Sequence, residues 1–130
     1  MHNKCLNCDS NTARKTYKYC SNQCQLDYQY KSYIFKWLNG EVSGIRSGGV
    51  VSRHIKKYLR QINNDKCQQC GWSKVNNYTK LVPLEADHID GNYMNNKLSN
   101  LRLLCPNCYS LTPTYKALNK GSGRSYRTPL

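Results

Sequence analysis

The sequence predicts a small α+β protein stabilised by metal: an N-terminal four-cysteine module with a helix, then a C-terminal unit of strand, loop, strand and helix. Three observations carry this expectation. All eight cysteines fall into four close pairs, Cys5/Cys8, Cys20/Cys24, Cys67/Cys70 and Cys105/Cys108. Apolar residues recur at three- and four-residue intervals after Cys24 and again after Val51, which is the period of a helix. Only 38% of the 130 residues are hydrophobic, and many of those are among the 11 tyrosines, so a large aliphatic core is not expected to hold a chain this short.

The cysteine spacing points to two tetrads. A C-x2-C or C-x3-C pair lets two thiolates reach one tetrahedral Zn²⁺ at about 2.3 Å each. Cys5, Cys8, Cys20 and Cys24 form the first set, and Cys67, Cys70, Cys105 and Cys108 the second. Four thiolates leave no open position for a substrate, so both zinc sites are read as structural. The alternative is a secreted, disulfide-bonded mini-protein. Residues 1–15 lack the apolar stretch of a signal peptide, so a reducing, cytoplasmic location is expected. No run of 18 apolar residues is present to span a membrane.

Element by element, residues 1–38 read as a zinc ribbon or treble-clef-like module plus a helix. Asn7, Asp9, Ser10 and Asn11 supply turns around the first knuckle, and Leu26, Tyr30, Tyr33, Ile34, Trp37 and Leu38 form an apolar stripe that Asn39-Gly40 stops. Residues 39–50 hold Gly40, Gly44, Gly48 and Gly49, half of the eight glycines, and read as a flexible linker. A second helix is expected from Ser52 to Asn63, with Val51, Ile55, Leu59 and Ile62 on one face. Its other faces carry Arg53, Lys56, Lys57 and Arg60, which suit a phosphate backbone and equally suit a solvated surface. Residues 80–88 suggest a strand interrupted early by Pro83, Asp90-Gly91-Asn92 a turn, and Leu101–Leu104 a second strand. Pro106 opens a helix that Pro113 should kink or break before Leu118. Residues 119–130 are rich in Gly, Ser and Arg and are expected to be a disordered basic tail. His2 and His54 have no chemical context and read as surface residues.

Twenty Lys and Arg against seven Asp and Glu give a formal charge of +13. Loading eight thiolates with two dications lowers this to about +9, which is still a large positive field. Such a field favours a polyanion, nucleic acid first, although charge alone also fits an anionic membrane or plain solubility. Three of the seven acidic residues, Glu85, Asp87 and Asp90, nonetheless crowd into six positions. Carboxylates near DNA repel phosphate, so a divalent cation between the two is the natural reason for the cluster. On a strand Asp87 and His88 point to opposite faces, so they serve one site only if the strand ends or bends there, as the Asp-Gly turn allows.

The run Glu85-Ala-Asp-His-Ile-Asp-Gly-Asn92, then Asn96, Asn100-Leu101 and Leu104-Cys-Pro-Asn-Cys108, resembles the HNH endonucleases, in particular the short phage-type, homing-endonuclease-like members with a zinc-stapled ββα-metal fold. The likeness covers residues 67–118 specifically and extends less specifically to the N-terminal zinc module and glycine-rich linker. It implies a unit over residues 51–118 that hydrolyses DNA, double-stranded DNA being the expected partner, in a bacterial or phage-infected cell. It implies that His88 acts as general base and that Asp87 ligates Mg²⁺ or a similar cation. It further implies that Asn100 pins the catalytic loop and that Cys67, Cys70, Cys105 and Cys108 hold structural zinc. Arg46, Arg53, Lys56, Lys57 and Arg60 are the candidates for contact with DNA. One position departs from the pattern: the second ligand of the catalytic metal is a histidine directly after the second knuckle, and here it is Tyr109. A neutral phenol is a poor ligand for Mg²⁺. The alternative implied by that departure is a catalytically impaired DNA-binding or regulatory protein on the same fold.

Overall fold

The computed structural model describes residues 3–46 and 49–118. Its elements run α1 (Asn22–Leu38), β1 (Ile45–Arg46), β2 (Val50–Val51), α2 (Arg53–Ile62), β3 (Glu85–His88), β4 (Leu101–Leu104) and α3 (Pro106–Ser110), with single 3-10 turns at Leu98–Asn100 and Lys116–Leu118. The expected tail, residues 119–130, lies outside the described residues, as do His2 and the Ser47-Gly48 step of the linker.

Helix α1 starts where the first cysteine cluster ends. The Ser21 hydroxyl accepts the Cys24 N–H at 3.1 Å, so the last cysteine of the cluster sits in the first turn of the helix it helps to anchor. At the other end the chain leaves through Gly40, whose φ of +78° suits the left-handed exit. The buried stripe is narrower than its periodicity predicts. Ile34 and Trp37 are buried and Tyr30 and Tyr33 pack partly against the core, but Leu26 and Leu38 remain 60% and 48% exposed. Helix α1 packs on α2, and that wall does not extend to Leu26 or wrap round to Leu38.

Helix α2 is capped by Ser52, whose hydroxyl accepts the His54 N–H, and it buries Ile55 and Leu59. Val51 continues that face as expected, whereas Ile62, in the last turn, is 49% exposed. The segment 39–50 differs from a plain linker. Strands β1 and β2 pair antiparallel, Ile45 opposite Val51 and Arg46 opposite Val50, and Gly44 is buried just before them. The Gly44 carbonyl accepts the N–H of Ser52 at 2.8 Å, which ties the hairpin to the start of α2.

The β3 strand is shorter than the expected 80–88. Residues 76–81 close a turn instead, with the Asn76 N–H donated to the Leu81 carbonyl, the Asn76 side chain accepting the N–H groups of Tyr78 and Thr79, and Lys80 at φ +64°. Pro83 then blocks a ladder hydrogen bond, and pairing begins only at Glu85. Strands β3 and β4 are antiparallel, with Asp87 opposite Arg102 and His88 opposite Leu101. Helix α3 begins with Pro106 in its first turn but is complete at Ser110, so Pro113 lies beyond it and kinks nothing. The buried Thr112 stops it, its N–H and hydroxyl both directed at the Tyr109 carbonyl.

One core gathers these pieces. Ile34 and Trp37 of α1, Val51, Ile55 and Leu59 around α2, Val82 and Leu84, and Leu101, Leu103 and Leu104 of β4 pack with Cys67 and Cys105. The packing therefore joins α1 to the C-terminal half across the glycine-rich segment. No helix among the described residues is long and apolar enough to cross a membrane.

Candidate active site

The loop between β3 and β4 is closed by its own amides. Strand β3 ends at His88, and the Gly91 N–H returns to the His88 carbonyl at 2.9 Å with Gly91 at φ +76°, a conformation that glycine adopts without strain. Asn100, buried just before β4, holds the loop from the other side. Its Oδ1 accepts the Asp90 N–H at 3.0 Å, its Nδ2 donates to Asp90 Oδ1 at 2.9 Å and to the Asn95 carbonyl at 2.8 Å, and its own carbonyl accepts the Ile89 N–H at 2.8 Å. The bend needed after His88 is thus built from Gly91 and Asn100.

The three clustered carboxylates take different places. Glu85 is exposed. Asp90 turns both oxygens into its own loop, accepting from the Asn92 N–H and Asn100 at Oδ1 and from Asn95 Nδ2 at Oδ2. Those donors, Asn95 first, then the Asn92 N–H and Asn100, hold its carboxyl below the usual carboxylate range. Asp87 is 5% exposed, and its Oδ2 accepts Arg102 Nε–H at 2.7 Å from the neighbouring strand. Sequence reading did not single out Arg102, because the partnership exists only once the β3/β4 register is set. Tyr109 is half-buried in α3, packed against the core and edge-on to Tyr115 at a centroid distance of 5.3 Å. His88 is half-buried, with Nε2 2.6 Å from Asn96 Oδ1. Asn96 is itself buried and its carbonyl accepts Trp37 Nε1–H of α1 at 2.7 Å. Asn96 is quoted in the motif but is given no role there, and Trp37 reads only as core.

The two cysteine sets have the geometry of metal sites. In each, the four sulfurs lie within 4.8 Å of one another, and among the described residues no third group of three or more His, Cys, Asp or Glu does so. Sulfur separations of 3.6 Å for Cys8–Cys20, 3.5 Å for Cys20–Cys24 and 3.7 Å for Cys70–Cys105 are far beyond a disulfide bond. They approach the edge of about 3.8 Å that a tetrahedron with 2.3 Å metal–sulfur bonds requires. In the second set, burial opposes ionisation of Cys67, but the N–H groups of Cys105, Cys70 and Gln69 outweigh it and bring the thiol down to about 6. Cys108 is pushed up to about 12 by burial and by the sulfurs of Cys105, Cys70 and Cys67. The first set repeats this contrast, with Cys5 at about 6 and Cys20 at about 12. One thiolate forms readily and the last is opposed by its neighbours, so a cation is what allows all four to ionise together. Both sets fit zinc. The second is keyed to the loop-bearing strands through Gln68, whose N–H donates to the Leu103 carbonyl at 2.7 Å.

The basic candidates fall on α2 and the hairpin. Arg53, Lys56, Lys57 and Arg60 share one face of α2 at i, i+3, i+4 and i+7, opposite the buried Ile55 and Leu59. Arg60 also pairs with Asp65 at 3.4 Å, and Lys57 Nζ stands 4.3 Å from the Tyr30 ring centre. Arg46 is exposed on β1. His54 is not the plain surface residue expected. It is half-buried against Tyr30 and Tyr33, and burial, with Lys57 and Arg53 beside it, lowers its pKa.

Comparison with known proteins agrees with this geometry. Residues 67–111, which span the second cysteine set, β3, the loop, β4 and α3, match the family model described as HNH endonuclease. The chain is 40% identical over 97 residues to the H-N-H endonuclease F-TflIV of Escherichia phage T5, an alignment covering 75% of this chain and 40% of that protein. It thus spans well under half the length of that relative. No solved structure matches the chain. The matched segment coincides with the second cysteine set and the Asn100-closed loop, so residues 67–111 of this chain are an HNH endonuclease family domain.

Proposed function

We propose that this protein is a metal-dependent endonuclease that hydrolyses phosphodiester bonds of double-stranded DNA. His88 is the general base, Asp87 the ligand of Mg²⁺ or a similar divalent cation, and Asn100 the residue that pins the loop. The observation that carries this reading is His88 at the end of β3, heading a loop that Asn100 closes with both ends of its amide. A base must be held in place to take a proton at the right moment, and imidazole is suited to that near neutral pH.

His88 takes a proton from a water molecule as its oxygen bonds to phosphorus. The bond from phosphorus to the 3′ oxygen breaks, that oxygen leaves with the bonding pair and is protonated from solvent, and a 5′-phosphate and a 3′-hydroxyl result. A divalent cation on Asp87 supplies charge compensation for the phosphate and the departing oxygen. Asp87 would hold a cation such as Mg²⁺, which needs few protein ligands because it keeps several of its own waters. Zn²⁺ fills both cysteine sets, and Arg46 with the basic face of α2 meets the DNA backbone. The setting is the reducing interior of a phage-infected bacterial cell.

A second reading is favoured by two contacts. Arg102 engages the Asp87 carboxylate, and Tyr109 packs against Tyr115 where the family pattern has a metal-binding histidine. On that reading the protein binds DNA without cutting it. Supercoiled plasmid incubated with the protein in EDTA, Mg²⁺, Mn²⁺ and Ni²⁺ separates the two. The nuclease reading expects metal-dependent nicking, slowed about 10²- to 10⁴-fold in His88→Ala, the typical worth of a general base. It also expects faster cutting by Tyr109→His. Wild-type protein that never cuts, beside a Tyr109→His variant that does, establishes the binding protein instead.

A further inference from the structure

His88 is held by more than its own loop. Its Nε2 lies 2.6 Å from Asn96 Oδ1, while Asn96 Nδ2 donates to the Tyr93 carbonyl at 3.1 Å. That second bond fixes the amide, since turning it over would set its oxygen against the Tyr93 oxygen and leave both without a proton between them. Asn96 Oδ1 is therefore an acceptor, and His88 meets it with a proton on Nε2. In the neutral imidazole Nδ1 is then bare and carries the lone pair.

Asn96 is in turn fixed from the opposite half of the chain. It is 3% exposed, and its carbonyl accepts Trp37 Nε1–H at 2.7 Å from 59 positions away. Trp37 is 5% exposed, with its ring edge-on to Tyr58 at 5.8 Å. Gly44 passes over this junction: a Cβ on it would stand 3.2 Å from Asn96 Cβ and 3.3 Å from Trp37 Nε1. The buried indole, the buried Asn96 and the half-buried imidazole thus form a continuous hydrogen-bonded line from α1 to the end of β3.

We propose that Asn96 is a positioning residue that locks His88 as the Nε2–H tautomer with Nδ1 free to accept the proton, and that Trp37 of α1 completes the site by holding Asn96. This rests on the nuclease reading for its consequence, but the lock is a property of the folded protein and is observable without cutting. It places part of the site outside residues 67–111, so the N-terminal helix contributes to the chemistry.

The test uses zinc-loaded, full-length protein with ¹⁵N-labelled histidine, observed by long-range ¹H–¹⁵N correlation above the histidine titration range, alongside plasmid cutting. Wild type is expected to show His88 protonated on Nε2. Asn96→Ala is expected to show a mixture of tautomers and to cut about 10- to 100-fold more slowly at unchanged KM, the usual effect of losing a partner behind a site residue. Trp37→Phe keeps an aromatic ring in the core without its N–H, and is expected to shift both readouts the same way by less. Asn96→Asp keeps the acceptor and adds charge, so it should retain the tautomer while moving the acid limb of the pH–rate profile to higher pH, because the carboxylate favours imidazolium. A wild-type His88 protonated on Nδ1 overturns the proposal, as does an Asn96→Ala protein with wild-type tautomer and rate. If Asn96→Ala does not fold, an unshifted profile in Asn96→Asp overturns it equally. Should His88→Ala cut as fast as wild type, the nuclease reading falls, and the tautomer spectrum still decides whether the lock exists.

Discussion

Asp90 sits in a protein of net +13, yet its carboxylate faces amides and not cations. Asn95, the Asn92 N–H and Asn100 keep its folded-state pKa below the ordinary value, so the ionised form is worth more to the folded protein than to the unfolded one. That contribution is complete above the ordinary value of 3.8 and is lost as pH falls through the lower, folded one. Asp90→Asn is therefore expected to melt below wild type at pH 5, with the gap closing as the pH is taken below 3.8. Protonation of the cysteine clusters affects both proteins and cancels in the difference between their melting curves. A gap that stays constant across this range refutes the assignment. Among single residues, Asp87, His88 and Asn100 could be singled out in the sequence because they stand at fixed spacing between two cysteine knuckles. Asn96 could not, since an asparagine in a run of turn formers looks like any other, and its distinguishing partners are a carbonyl three residues back and an indole 59 residues away. Arg102 was hidden for a related reason: which side chain lies across from Asp87 depends on the register.

At the scale of elements, local chemistry was read best. Ser52 starts one helix, Asn39-Gly40 ends another, and Pro106 opens a third, as their backbone preferences dictate. What periodicity overstated was extent: Leu26, Leu38 and Ile62 fit the helical stripe but meet no wall. Glycine content was the poorest guide. Four glycines in residues 39–50 suggest flexibility, but Gly44 is there because nothing larger fits. A Cβ at that position would lie 2.4 Å from Ile55 Cδ1 as well as close to Asn96 and Trp37, and φ is +82°. Gly44→Ala is expected to lower stability by about 1–3 kcal/mol, the usual range for overpacking, in chemical denaturation at unchanged m-value. Gly40→Ala probes the contrast: its φ is also left-handed but nothing lies within 4 Å, so it should cost about 1 kcal/mol of backbone strain and no more.

For the molecule as a whole, the second cysteine cluster and the apolar core are one structure and not two supports. Cys67 and Cys105 belong to the core, and Gln68 hydrogen-bonds to β4 on both its N–H and its side-chain oxygen. A metal held by the second set would therefore brace the strands that carry His88. Chelation, or Cys67→Ala, is expected to abolish near-UV circular dichroism and cutting together, and added Mg²⁺ should not restore either. Retention of the folded signal after both cysteine sets are emptied shows that the core suffices alone. The fold class was legible because metal-ligand spacing is local in sequence. The joining of α1 to the C-terminal half was not, because it is made by contacts that span most of the chain.

The bond from Trp37 to Asn96 also sets an order of events during synthesis. Fifty-nine residues separate donor from acceptor. At ordinary translation rates of 5–20 residues per second, the indole waits about 3 to 12 s before its carbonyl is made, and longer before both leave the ribosome. In that interval the first cysteine cluster and α1 are already made, and the histidine joins the chain only eight residues before Asn96. The last cysteine pair follows later still, so the loop between β3 and β4 can be braced on both sides only after Cys108 has been made.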